Sequence, residues 1–257
     1  MKLLVNTLPS QGYCKSKRDF IEINPLTYRQ LKKYTSAKYT TEIEKLVWDI
    51  ECLIQDIIGW EDLSMYDLTS LLFTRRLLSA TFEPELKLTF GDNVYTINIQ
   101  DISFKDMPVE LKTLDTVEIN GKKFKFRLPS LYEYYKVLKY ASGDVENLND
   151  FSLEIVTFAS TLVPISSSED QSWENMDSLD AYKQAIKSVD TSVQQDIVVI
   201  ETIQTLLQDK LNDVTVKGEG GETAVSLNGL TADIFRLIWL NAGNISDRIS
   251  FKEGLQP

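Results

Sequence analysis

Apolar positions recur along this chain with two different periods. Between Thr41 and Gly59, residues Ile43, Leu46, Val47, Ile50, Leu53, Ile54 and Ile57 fall three and four apart, which is the spacing of one helix face. Thr41 is placed as the N-cap and Gly59 as the stop. The stretch DLSMYDLTSLLFTRRLLSA predicts a second helix, capped at Ser64 with Asp67 three residues on and striped by Leu68, Leu71, Leu72 and Leu78. Before both, residues 18–24 alternate as a strand does and stop at Pro25, and Thr27 is set to cap a short helix over YRQLKKY.

From residue 84 the period becomes two. ELKLTFGDNVYTINIQD reads as a hairpin turned around Gly91-Asp92-Asn93, and DTVEINGKKFKFRLPS as a second turned at Asn120-Gly121. Helices are predicted over 130–142, ended by Gly143, and over 150–162, stopped before Pro164. After the polar loop PISSSEDQSWENM, SLDAYKQAIKSV and DTSVQQDIVVIETIQTLLQDKL read as two more. In the longer one Val193, Ile197, Ile200, Ile203, Leu206 and Leu207 lie near one face. DVTVKGEGGETAVSLNGL predicts a third hairpin and TADIFRLIWLNAG a short apolar helix. The fold class is therefore α+β, mostly helical, with three inserted β-hairpins: two after the N-terminal helices and one near the C-terminus. No βαβ alternation is visible, against a doubly wound nucleotide fold. The loop after Pro164 divides the chain into 1–164 and 165–257, either as two regions or as one continuous domain.

The 257 residues suffice for a sizeable core, and 43% hydrophobic with 25% charged is ordinary globular composition. The net charge of −11 disfavours nucleic acid and anionic membrane surfaces and suits a basic protein partner. No signal peptide or bilayer-length apolar run is read from the sequence. Cys14 and Cys52 are too few for a disulfide framework. The absence of histidine removes imidazole bases, Ser-His-Asp and Cys-His nucleophiles, and histidine metal ligands together.

Only carboxylate chemistry remains. The pairs Glu42/Glu44, Glu61/Asp62, Glu169/Asp170 and Asp209/Asp213 sit at helix ends and in polar loops, where solvation and helix dipoles account for them. The glycine-rich KGEGGETA lacks the GK[ST] ending of a phosphate loop and reads as a turn. No catalytic, cofactor or metal residue is assigned. Arg75 and Arg76 stand on an otherwise apolar helix, either as a solvated or ion-paired face or as a reader of partner carboxylates. Tyr132 and Tyr135 share a face with Leu138, as core or as interface. The tripeptide Leu-Pro-Ser occurs twice, at 8–10 and 128–130.

The opening LPSQGY…FIEINPLTYRQLKKY resembles the N-terminal pattern L-P-S-x-G-x-x-Y, strand, then helix, of the base plate hub and hub-assembly family of contractile-tailed, T-even-like phages. IEKLVWDIECLI sits where that family has a helix. Leu63, Asp67, Leu71 and Arg75 carry a spacing that looks like its L-x-x-x-D-x-x-x-L-x-x-x-R segment, and KFRLPSLYEY looks like its strand-to-helix step. The likeness covers most of residues 7–140 and, more loosely, the C-terminal half. Two departures stand out: Tyr13 follows Gly12 directly, and the hairpins lack the CxxC pairs of many relatives.

The resemblance implies a non-enzymatic tail protein, a base plate hub component or a hub and tape-measure assembly factor. Its partners would be hub, tape-measure and base plate proteins, in a threefold or sixfold assembly, with neither nucleic acid nor membrane expected. It would reside in the virion tail or in the host cytoplasm during assembly. Leu8, Pro9, Tyr13, Arg75, Arg76, Tyr132 and Tyr135 are the candidate partner contacts. The competing readings are another structural tail protein, a carboxylate-dependent metal enzyme such as a nuclease, and a cellular adaptor sharing Leu-Pro-Ser by chance.

Overall fold

The computed structural model describes residues 1–13, 16–36, 39–79, 85–90, 93–98, 101–143, 151–165, 176–212, 214–218 and 221–225. The fold is of α+β type. Its helices are Tyr28–Thr35 (α1), Glu42–Leu53 (α2), Leu68–Ser79 (α3), Val109–Thr113 (α4), Leu131–Gly143 (α5), Leu153–Ser160 (α6), Ser178–Asp190 (α7) and Gln194–Gln208 (α8). Its strands are Lys2–Leu4 (β1), Phe20–Glu22 (β2), Glu85–Phe90 (β3), Asn93–Asn98 (β4), Thr116–Ile119 (β5), Lys122–Phe126 (β6), Leu162–Pro164 (β7), Val214–Gly218 (β8) and Gly221–Val225 (β9).

The helices begin where side chains can satisfy their first free N–H groups. Thr27 and Gln30 form a reciprocal capping box on α1, and Thr41 and Glu44 form another on α2. The Glu44 carboxylate also accepts from the Thr40 N–H and hydroxyl, and these bonds hold its pKa below the usual carboxylate range. Ser64 caps a single 3-10 turn, Met65–Asp67, from which α3 continues.

Helix ends depart from the periodicity. α2 ends at Leu53, short of Gly59, yet Ile54 and Ile57 are fully buried. They reach the core through a chain of turns: Ile57 N–H donates to the Ile54 carbonyl, and Trp60 N–H to that of Ile57. Gly59 makes the left-handed bend, φ +86°, that starts the Trp60–Asp62 turn. The predicted helix over 150–162 is likewise shorter. It stops at Ser160, because Leu162–Pro164 adds to the edge of β6, with Phe126 opposite Leu162 and Phe124 opposite Pro164.

All the strand pairings are antiparallel: β1 with β2, β3 with β4, β5 with β6 and β7, and β8 with β9. Asn120 and Gly121 both have positive φ, 51° and 69°, which matches the handed two-residue turn joining β5 to β6. One hydrophobic core runs from Val5, Leu8, Ile21 and Ile23 through α2, α3 and α5 to Tyr182, Ile186, Ile203 and Leu207, so buried residues on both sides of Pro164 belong to it.

A buried carboxyl ties α1 to α2. The Tyr34 hydroxyl donates to Asp49 Oδ1 at 2.8 Å, and burial pushes the Asp49 carboxyl up to about 6. In the unfolded chain the same group releases its proton near ~3.9. As pH rises from ~4 the unfolded state therefore ionises first, and the contribution of Asp49 to stability falls through pH ~6. Asp49→Asn keeps an acceptor for Tyr34 and removes this titration. Relative to wild type, it is expected to gain about 2–3 kcal/mol between pH 4 and pH 7, as measured by urea unfolding at each pH.

Candidate functional site

The two Leu-Pro-Ser segments meet the same short stretch of chain. In the first, Leu8 and Ser10 are buried; the Ser10 N–H donates to Asp67 Oδ1 at 2.8 Å and its hydroxyl to Oδ2 at 2.7 Å. The Pro9 carbonyl accepts from the Met107 N–H at 2.7 Å. In the second, the Pro129 carbonyl accepts from the Met65 N–H at 3.1 Å, Ser130 bridges Ser64, and the Leu131 N–H donates to the Leu63 carbonyl at 2.7 Å. Ser130 then opens α5, boxed with Glu133. Residues 63–67 are thus held from both sides by one repeated tripeptide.

Asp67 is fully buried. Burial pushes its carboxyl up to about 6, against the pull of the two Ser10 bonds and of Lys210. Burial also pushes the Lys210 ammonium down to about 8, with Asp67 opposing. The Lys210 Nζ sits 5.0 Å from the centre of the Tyr66 ring, a cation–π approach. The Tyr66 hydroxyl is buried without a hydrogen-bond partner, and burial raises its pKa.

Arg75 does not face solvent. It is 1% exposed, and its Nη2 pairs with Asp56 Oδ2 at 2.6 Å, an oxygen that also accepts from Gln30 Nε2. Its carbonyl accepts from the Ser79 hydroxyl, whose oxygen takes the Leu26 N–H. The guanidinium therefore ties α3 to the turn after α2, and through Asp56 to Gln30 in the first turn of α1, while its Nε is buried without a hydrogen-bond partner. Its charge is spent within the chain, as the ion-pair reading has it. Arg76 follows it on α3.

The tyrosine helix divides. Tyr135 is buried, and its hydroxyl donates to Glu51 Oε1 at 2.7 Å; Lys139 reaches both groups. Leu138 is buried beside it, but Tyr132 is 47% exposed. Trp60, itself buried, meets both tyrosines edge-on, with ring centres 6.1 Å from Tyr132 and 6.0 Å from Tyr135. Lys136 lies over the Tyr132 ring and pairs with Asp177. The result is an aromatic side chain held at the surface by a rigid floor. Of the other candidates, Pro9 and Leu8 are interior and Tyr13 is 42% exposed.

The sequence reading gave Trp60 no role. Its one local signal is its position directly after a glycine that ends an apolar run. Nothing nearby in the chain foretells the tyrosines it supports more than seventy positions later.

Among the described residues, no group of three or more Asp, Glu, Cys or His could hold a metal ion, and no helix is long and apolar enough to cross a membrane. Asp209 pairs with Lys105; Glu169, Asp170 and Asp213, like Gly91-Asp92, the KGEGGETA turn centre and the predicted helix TADIFRLIWLNAG, lie outside the described residues. A cavity between the starts of α2 and α6, lined by Ile43, Ala141, Phe151 and Leu153, measures about 150 Å³. That is below the roughly 300–1,000 Å³ of ordinary ligand sites. Comparison of the chain with protein-family models, with curated proteins and with solved structures returns no match.

Proposed function

We propose that this chain is a non-catalytic tail protein of a contractile-tailed phage, a base plate hub component or an assembly factor for hub and tape measure, that acts by binding other tail proteins. The observation that carries the reading is the convergence of the motif residues. Leu63, Asp67, Leu71 and Arg75 are all buried, and Leu63 and Asp67 are the points at which the two Leu-Pro-Ser steps dock. The stretches that resemble the family are therefore one connected piece of framework, which gives their order along the chain a physical reason.

On that framework Tyr132 is the contact we favour. An exposed aromatic ring held by packing loses little conformational freedom on binding, and such residues anchor interfaces. The finer architecture, a helical body bearing three inserted hairpins in one continuous domain, belongs to the same reading, as does residence in the virion tail or in the host cytoplasm during assembly. The test is affinity isolation of the tagged full chain from phage-infected cells. Hub or tape-measure proteins are expected to co-purify, and Tyr132→Ala to reduce their recovery about tenfold while lowering the melting temperature only slightly, by the loss of its contact with Trp60. Isolation without any tail protein would overturn the proposal.

A further inference from the structure

The first turns of α8 are apolar on sides that face solvent. Ile197, Val198, Val199 and Ile200 are consecutive, and four consecutive helical residues point all the way round the axis. A helix that is apolar all round is ordinarily buried. Here only Ile200 is, joined further along by Ile203 and Leu207. Ile197 is 43%, Val198 65% and Val199 40% exposed, and Val193, at the helix start, is 53% exposed. Of the residues expected near one face of this helix, Ile200, Ile203 and Leu207 are buried, whereas Val193 and Ile197 are exposed. The α8 start is firmly placed: Asp196 accepts from the Val193 N–H and, across the β5–β6 turn, from the Asn120 N–H.

Charge decides what would cover this surface. α8 contains Asp196 and Glu201 and neither lysine nor arginine, while at the end of α7 the exposed Asp190 and Lys187 offset each other. Lys122, on the neighbouring strand β6, is turned to Ser188. The chain as a whole carries −11. Pairing α8 with a second copy of itself would set acids against acids, which opposes association. We infer that the exposed face of α8 docks an amphipathic helix whose apolar stripe is flanked by lysine or arginine, supplied by a partner protein. The apolar stripe would cover Ile197 and Val198, which lie about 100° apart on α8, and a lysine or arginine at its edge would meet Glu201, one turn on from Ile197. This surface is separate from Tyr132, and the inference stands without the phage assignment.

The test uses the full chain and two labelled helical peptides with the same leucine stripe, one flanked by lysines and one by glutamates, followed by fluorescence anisotropy at physiological salt. The lysine peptide is expected to bind at least tenfold more tightly than the glutamate peptide. The exposed double variant Ile197→Ser/Val198→Ser is expected to lose at least tenfold of that affinity while melting as wild type does. Binding of the lysine peptide unchanged by the double variant would overturn the inference, as would no binding. So would a dimer in sedimentation that the variant dissolves, which assigns the face to a second copy. A variant that stays monomeric but melts several degrees lower would overturn it too, because the chain itself would then cover the face.

Discussion

Replacing Asp67 with alanine is expected to lower the unfolding free energy by about 3 kcal/mol at pH 7. Two losses add. Ser10 is buried, and its N–H and hydroxyl would both be left without the carboxylate that takes them; an unsatisfied buried donor costs ~1–3 kcal/mol. Lys210 would lose the negative charge that opposes its desolvation, but Lys210 is only half-buried, so this loss is a fraction of the roughly 3–5 kcal/mol that a fully enclosed charge pair carries. Relief of the buried carboxylate itself offsets part of this, since burial already disfavours its ionised form. For a chain of this size the change corresponds to a fall of roughly 6–12 °C in melting temperature. A change under about 1 kcal/mol would mean that Asp67 does not hold the N-terminal segment. Ser10→Ala in the otherwise wild-type chain isolates the hydroxyl loss, because it removes that bond and leaves Lys210 the Asp67 charge.

Trp60→Ala is expected to cost about 4 kcal/mol, within the usual range for deleting a buried large aromatic. Trp60 is 4% exposed and packs edge-on against Tyr132 and Tyr135. The cavity would open under α5, whose Tyr135 also ties α2 through Glu51. Urea unfolding gives the magnitude. Trp60→Phe distinguishes packing from folding failure: it keeps an aromatic floor and should recover more than half of the loss. Equal losses in both variants would show that the indole, not aromatic packing, is what the site requires.

Helix starts were legible because capping is local. Thr27 and Thr41 each act within three residues of themselves and cap their helices as the sequence suggests, whereas Ser64 caps the 3-10 turn ahead of α3 through the Tyr66 N–H, and the Asp67 carboxylate takes Ser10 instead. Helix ends were less so. Ile54 and Ile57 fit a helical stripe, but burial rewards their position and not the path to it, and a run of turns buries them equally well. β7 was hidden for a related reason. Leu162 and Val163 fit the end of α6 by pattern, and only the distant edge of β6 makes them a strand. The double Leu-Pro-Ser was visible as an echo, yet its meaning depends on Asp67 and Leu63, which meet it across long separations. Arg75 shows the limit most plainly: its spacing allowed either a solvated face or an ion pair, and Asp56 on another element decides. α8 shows the reverse case, in which a stripe drawn through Val193 and Ile197 includes side chains that the fold leaves in solvent.

The assignment to a phage tail is tested most directly by mass spectrometry of purified particles beside infected-cell lysate. The account predicts the chain either in particles, at a copy number in step with tail symmetry, or in lysate complexes that also contain hub or tape-measure protein. Its recovery apart from tail proteins in both samples would contradict the account.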